Sequence, residues 1–238
     1  MKAAYDFHIH TALSPCGDGD MTPNNIVNMA ILKGLDVIAI TDHNTCLNAA
    51  ACIECAEGTG LVVLPGMEVE TSEECHLVCL FEDIASAMEM DKLVKSSLPR
   101  IKNRTDIFGH QAIMDRDDNI VGYEENMLVT ATSLSIDQVA EAVRNLGGAV
   151  FPAHIDKTSY SIVSNLGFID DCYGFKTVEI KNPDKVAEMD TPHNLSRFRI
   201  IHNSDAHYLW DISERQYFLD VEALTKRQII DIIKGQFC

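Results

Sequence analysis

Asp6-Phe7-His8-Ile9-His10-Thr11 sets two histidines two residues apart in an otherwise apolar stretch that reads as a strand. Successive side chains of a strand alternate faces, so His8 and His10 are expected to point one way while Phe7 and Ile9 pack the other way. Two imidazoles one strand repeat apart can share a metal ion. The spacing returns near the other end in Asn203-Ser204-Asp205-Ala206-His207, now with a carboxylate and an imidazole.

Moving outward, Ser14-Pro15-Cys16-Gly17-Asp18-Gly19-Asp20 is turn-rich, and Thr22-Pro23 supplies an N-cap and a first-turn proline for a helix over 22–34. Asp36 to Ile40 is a short apolar run of the kind found in buried parallel strands, and it ends in Thr41-Asp42-His43. An alanine-rich helix to about residue 57, a strand Leu61-Val62-Val63-Leu64 and then Pro65-Gly66-Met67-Glu68 follow. His76 to Phe81 reads as a further strand, with a helix after it to about residue 97. This alternation is the signature of βαβ units. Residues 100–128 interrupt it with a polar segment in which Met114 to Asn119 forms a turn, predicting an inserted hairpin or lid. A helix ending at Gly147-Gly148, a strand ending at Pro152-Ala153-His154, later strands near 177–180, 199–202 and 217–221, and a closing helix over 225–234 restore the rhythm.

The 238 residues fit one α/β barrel-like domain. A formal charge of −17 predicts a field that repels phosphate backbones, so polymeric nucleic acid is expected to be a poor partner. No stretch nears the roughly 18 apolar residues that span a bilayer, and no apolar run follows a basic start, so a cytoplasmic protein with no membrane partner is expected. Eight cysteines in such a chain read as reduced thiols. Cys52-Ile53-Glu54-Cys55 lacks a second pair and lies in a strongly helical run, so it is read as helix packing.

Candidate ligands recur at the carboxyl ends of expected strands, where loops of a parallel barrel converge: His8, His10, His43, Glu68, His154, Asp205 and His207, with His76 at the start of its strand. Buried imidazoles and carboxylates gathered in this way need partners, and divalent metal satisfies them. His202 falls on the opposite strand parity from Asp205, while His193 and His110 lie in a helical stretch and in the inserted region, so none of the three is expected to bind metal. Asp42 is read either as a partner for a ligating histidine or as a helix N-cap.

These stretches resemble the PHP family, the polymerase and histidinol phosphatase domain, over nearly the whole chain. Four motifs carry the resemblance in order: Asp6 to Thr11, Ile40 to His43, Pro152 to His154, and Ser204 to His207, with Gly66-Met67-Glu68 and His76-Leu77 between them. The resemblance implies a distorted (β/α)7 barrel holding up to three divalent ions; two to three are expected from the converging ligands, whose nitrogen and oxygen donors admit zinc, manganese or iron. By the resemblance, His8, His10, Glu68 and Asp205 surround one ion, and Glu68 bridges to a second held with His76 and His154. Asp18, His43 and His207 hold the third, with Asp20 as a substitute for Asp18.

Three such ions bring about +6 against about −3 from Asp18, Glu68 and Asp205, a local excess suited to phosphate oxygens. The expected activity is metal-dependent hydrolysis of a small phosphorylated metabolite, such as a nucleotide or sugar phosphate, by a metal-bridging hydroxide. Asp205 is the candidate for proton transfer, and Lys157 and Arg104 are the candidate phosphate-binding cations. Ile155-Asp156 replaces the proline and glycine that small-nucleotide phosphatases of this family tend to place after the third motif. The alternatives are a non-catalytic metal-binding module that docks another protein and a C–N bond hydrolase on a related barrel.

Overall fold

Strand β1 (Lys2–Ile9) is buried continuously from Ala3 onward because both of its faces are covered. In this computed structural model, which describes residues 1–236, β1 runs parallel to β2 (Val37–Ile40) and β2 parallel to β3 (Val62–Glu70). The crossovers are α1 (Pro23–Leu32) and α2 (Ala49–Cys55). Thr22 caps α1 by accepting from the Asn25 amide, and Ile26, Val27 and Ala30 form its buried face. The register of β1 against β2 shifts between Asp6 and Ile9. This irregularity breaks the expected alternation: Phe7 packs in the cluster with Val37 and Phe151, whereas Ile9 joins the cluster with Ile26 and Ile38.

Uniform βα alternation fails at β4 (His76–Leu80), which pairs antiparallel with β3. The link from Thr71 to Cys75 is too short for the crossover that a parallel pair needs. Gly66 admits the close pairing, since a Cβ there would come within 2.6 Å of the Cys79 carbonyl oxygen. The reversal has a functional consequence: β4 begins on the rim where β3 ends, so His76 lies beside Glu68.

After α3 (Ile84–Ser97) comes the inserted region, with α4 (Thr105–Phe108) and the hairpin β5 (Ala112–Met114) and β6 (Ile120–Tyr123). The hairpin is fastened to the crossovers. Asn48 Nδ2 donates to the Ala112 carbonyl at 3.1 Å, and Thr22 Oγ1 donates to Asp118 Oδ2 at 2.8 Å. Next come α5 (Ile136–Asn145), opened by a Ser135/Gln138 capping box, and β7 (Ala149–Pro152), antiparallel to β4.

The chain continues through α6 (Ile162–Leu166), β8 (Thr177–Glu179), α7 (Val186–His193), β9 (Arg199–Ile201), β10 (Phe218–Asp220) and α8 (Lys226–Ile233). The main sheet has the order β10-β1-β2-β3-β4-β7, and β8 and β9 form a parallel pair. The Ile155 amide donates to the Glu179 carbonyl at 2.9 Å and the His10 amide to the Ala206 carbonyl at 3.0 Å, so the curled sheet approaches closure as a distorted α/β barrel. The apolar face of α8 (Ile229, Ile230, Ile232 and Ile233) packs with Phe7, Leu80 and Phe151. Among the described residues no helix is long and apolar enough to cross a membrane.

Candidate metal centre

Glu68, fully buried near the end of β3, is the hub of the site. Its Oε1 lies 2.9 Å from His76 Nδ1, 3.1 Å from His154 Nε2 and 3.2 Å from His8 Nε2. Its Oε2 lies 3.0 Å from His43 Nδ1 and 3.5 Å from His10 Nε2. Asp205 faces it, with Oδ1 3.4 Å from His10 Nε2, 3.6 Å from His8 Nε2 and 3.7 Å from His207 Nδ1. His154 and Asp205 hold left-handed backbones, with φ of 28° and 52°. Such a conformation costs a non-glycine residue on the order of 1 kcal/mol or more, so the surrounding contacts impose it.

These groups fit divalent cations. His8 Nε2, His10 Nε2, His154 Nδ1 and Glu68 Oε2 are buried without a hydrogen-bond partner, a cost of about 1–3 kcal/mol apiece if nothing meets them. Three triads, His8/His10/Glu68, His43/Glu68/His76 and His10/His43/His207, each bring their ligand atoms within 4.8 Å of one another. Imidazole nitrogens and carboxylate oxygens are donors that zinc, manganese and iron accept.

Electrostatics polarises the cluster. Burial pushes the Glu68 carboxyl up, but His76, His8 and His43 hold it well below the usual range. Burial and the neighbouring His207 and His43 hold His10 well below the ordinary histidine value. Burial opposes charge on His8 as well, yet Glu179 and Glu68 raise it well above that value.

A second layer orients the ligands. Glu179 lies 3.0 Å from His8 Nδ1, accepts from the His154 amide at 2.8 Å and accepts from Asn203 Nδ2 at 2.7 Å. Ser14 Oγ lies 3.0 Å from His10 Nδ1 and donates to Asp42 Oδ1 at 2.6 Å. Asp42 therefore acts on a ligand histidine through Ser14, and it caps no helix, since α2 begins at Ala49. Glu179 escaped the sequence reading although its signal was present, a lone carboxylate in the apolar run Thr177 to Ile180.

The ligands surround a cavity of about 240 Å³ whose lining includes Cys16, His43, His76, Lys157, Tyr160 and His207. Lys157 Nζ lies 2.5 Å from Asp205 Oδ2, and Lys181 Nζ, which sequence reasoning missed, lies 3.2 Å from the same oxygen. Arg104 is not in this lining. Its guanidinium pairs with the Asp106 carboxylate at 2.7 Å in an exposed turn. The hairpin of the inserted region is bound to α1 and to Asn48, and Val129 beyond it reaches the cavity instead.

Asp18 is also outside the lining, and its Oδ1 accepts from the Asp20 amide at 2.9 Å. Cys16 stands in the lining beside His43 and His207. Burial pushes its thiol up, but the two imidazoles draw it down to about 6. His202 Nδ1 lies 2.6 Å from the Ile180 carbonyl oxygen and its ring packs on Tyr217; His110 packs on Tyr123.

Residues 6–161 match the PHP domain family model. The 5'-3' exoribonuclease Rnm of Salmonella typhimurium is 36% identical over 98 residues, which make up 39% of this chain and 32% of that protein. The chain thus spans about a third of that relative's length. The endonuclease EndoQ of Pyrococcus furiosus superposes with a TM-score of 0.74 at 21% identity, over 99% of this chain and 56% of that one. Endonuclease Q is also known in complex with a 27-mer duplex bearing an abasic lesion at its active site. A Bifidobacterium adolescentis protein assigned as a metal-dependent phosphoesterase superposes with a TM-score of 0.65 at 19% identity, over 96% of this chain and 95% of that one.

These relatives overturn the expectation of a small phosphorylated partner with polymeric nucleic acid disfavoured, since the exoribonuclease and the endonuclease act on polymers. The physical reason is range. Net charge describes the distant field, which salt screens within about 8 Å, whereas Lys157 lines the cavity and Lys181 pairs with Asp205 at 3.2 Å.

Proposed function

The chain belongs to the PHP domain family of metal-dependent phosphoric ester hydrolases, and from that membership we propose that it is a phosphodiesterase acting on a nucleic-acid strand. The observation that carries this reading is the Glu68 carboxylate shared by two of the three triads of ligand atoms, opening to a cavity lined by Lys157, with Lys181 paired to Asp205 beside it. His8, His10, Glu68 and Asp205 would hold one ion, Glu68, His76 and His154 a second, and His43 and His207 a third; zinc, manganese and iron all suit these donors. Such ions supply Lewis-acid stabilisation of phosphoryl oxygens and lower the pKa of the water they bind.

The chain's own residues do the rest. Lys157 and Lys181 offer charge-assisted hydrogen bonds to non-bridging phosphate oxygens, and Asp205 between them fixes both ammonium groups. His8 and His10 hold the Asp205 carboxyl well below the usual range against the push of burial. It is ionised near neutrality, so its part in proton transfer would be to accept from the attacking water.

A strand-shaped substrate is supported by two features beside the ligands. Tyr208, next to His207, stacks on Trp210 with ring centroids 6.2 Å apart and planes 6° apart, and both rings are exposed. Lys33 Nζ donates to the Trp210 carbonyl at 2.7 Å and steadies this turn. Exposed aromatic faces next to cations are how proteins hold single-stranded nucleic acid without reading its sequence.

The test is to incubate metal-loaded protein with end-labelled single-stranded and duplex DNA and RNA, with and without a 5'-phosphate and an abasic site. Shortened products whose formation stops with chelator are expected. Intact oligonucleotides of every kind, under conditions that hydrolyse simple phosphate esters, would overturn the polymer reading.

A further inference from the structure

We propose that Cys16 supplies a thiolate ligand to the ion held by His43 and His207, the place that the family resemblance gives to Asp18. The inference rests on the reading that the site holds divalent ions, and it concerns which side chain of the glycine-rich loop reaches them.

The loop leaves little choice. The Gly17 amide donates to the Ser14 carbonyl at 2.9 Å and the Asp18 amide to the His207 carbonyl at 2.9 Å, so the backbone on both sides of Cys16 is pinned beside the site. At Gly17 a Cβ would come within 2.3 Å of the Thr11 carbonyl oxygen, so the chain passes here only without a side chain. Past that point the Asp18 carboxylate is engaged by the Asp20 amide in a local turn. Cys16 instead lines the cavity with His43 and His207.

A second observation points to a ligand at the same place. His10 is fully buried, its Nδ1 is taken by Ser14, and its Nε2 is without a partner while facing His43 and His207 within 4.8 Å. His43 and His207 carry no charge to offset a divalent cation, and the nearby carboxylates of Glu68 and Asp205 are shared with the ion that His10 helps to hold, so this position lacks an anionic donor of its own. The thiolate provides it. On ligation the thiol proton leaves to solvent as the sulfur–metal bond forms. Sulfur also biases this position toward zinc over the harder cations that carboxylate sites accept. Cys46, Cys52, Cys75 and Cys79 are buried in the apolar core and do not compete for the role.

Cobalt(II) reports sulfur ligation directly through a near-ultraviolet thiolate-to-metal charge-transfer band. The metal-stripped full chain is titrated with cobalt while absorbance is followed, and bound metal is counted by elemental analysis. The band is expected in the parent and in Asp18→Asn with the same metal count. It should be absent in Cys16→Ser with one ion fewer, and absent in Cys16→Asp with the count restored. A parent without the band at saturating cobalt, a band that survives Cys16→Ser, or an ion lost in Asp18→Asn but kept in Cys16→Ser would overturn the proposal. Failure of the proposed function reads out separately: a band that meets these expectations with no oligonucleotide cleavage supports the ligand and removes the substrate.

Discussion

His8 Nδ1 lies 3.0 Å from Glu179 Oε2, with both side chains wholly shielded from solvent, and this pair fixes which ring nitrogen faces the pocket. Glu179 also binds the His154 amide, so one carboxylate orients two candidate ligands. Removing such a partner costs about tenfold to a hundredfold in metal affinity. Glu179→Ala should show that loss in chelator competition, and Glu179→Gln, which still offers an acceptor oxygen, should lose less. Unchanged affinity in the folded alanine variant would remove Glu179 from the site.

Glu68 makes a sharper case because its two oxygens face different candidate ligands: Oε1 lies beside His76 and His154, and Oε2, without a hydrogen-bond partner, lies 3.0 Å from His43 Nδ1. Glu68→Gln replaces one oxygen by a donor nitrogen and removes the shared negative charge. Metal content should fall to at most about one ion per chain, and phosphodiester hydrolysis should be nearly abolished. Full occupancy together with parental turnover would contradict the bridging role.

How far the site was legible follows from where each residue lies. His8, His10, His43, His154, Asp205 and His207 stand at or just past strand ends, and hydrophobic patterning locates strand ends. His76 became intelligible only with the antiparallel turn of β4, since the turn at Thr71 to Cys75 is shorter than βαβ alternation assumes. Asp18 and Cys16 are two residues apart in one irregular loop, where no period tells which side chain turns inward. That depended on Gly17 packing against the Thr11 carbonyl. Arg104 reads as a phosphate-binding cation because it opens the inserted region, but Asp106, two residues on, takes its guanidinium. Lys181 was out of reach because its proximity to Asp205 depends on β8 lying beside β7.

Two lysines on one carboxylate oxygen imply partial redundancy. Lys157→Ala or Lys181→Ala alone should raise KM by less than about tenfold, since the remaining ammonium still reaches the phosphate. The double variant should raise it by about tenfold to a hundredfold, more than the product of the singles, as coupled neighbours do. Arg104→Ala should leave KM and kcat unchanged. Steady-state kinetics on the best oligonucleotide tests all four, and a double variant with parental KM would show that phosphate is held without these cations.

Trp210 is the one tryptophan of the chain, so its fluorescence reports the proposed stacking surface without labels. Single-stranded oligonucleotide added to metal-free protein should quench it, whereas inorganic phosphate should not. Trp210→Ala should weaken binding by about 5- to 150-fold, the equivalent of the roughly 1–3 kcal/mol of one base–aromatic stack. Tyr208→Ala should do likewise, with metal content intact. Quenching absent at saturating oligonucleotide would detach these rings from substrate binding while leaving the metal site untouched.

Stability should fall steeply in mild alkali, for reasons independent of the metal ligands. Burial pushes the Tyr5 phenol up to about 12 from 10.0. Burial likewise raises the Cys46 thiol, with the Asp91 carboxylate adding to it, and raises the Cys52 thiol well above its ordinary value. In each case the unfolded chain releases its proton at a lower pH than the folded one. The folded state therefore binds more protons between the two values, and stability declines as pH rises through that window. Below about pH 8 the groups are protonated in both states and contribute nothing to the slope. Above about pH 9 the two thiols each remove about 1.4 kcal/mol per pH unit, and Tyr5 joins above about pH 10. Against a total of about 5–15 kcal/mol for a folded domain, this is a large fraction within two units. Urea unfolding with chelator and reductant present, from about pH 8 to about pH 10, should show the decline. Cys46→Ala should flatten it by one thiol's share, although that variant starts less stable. Unfolding free energy that stays level across the range in the parent would show that these thiols ionise equally in both states.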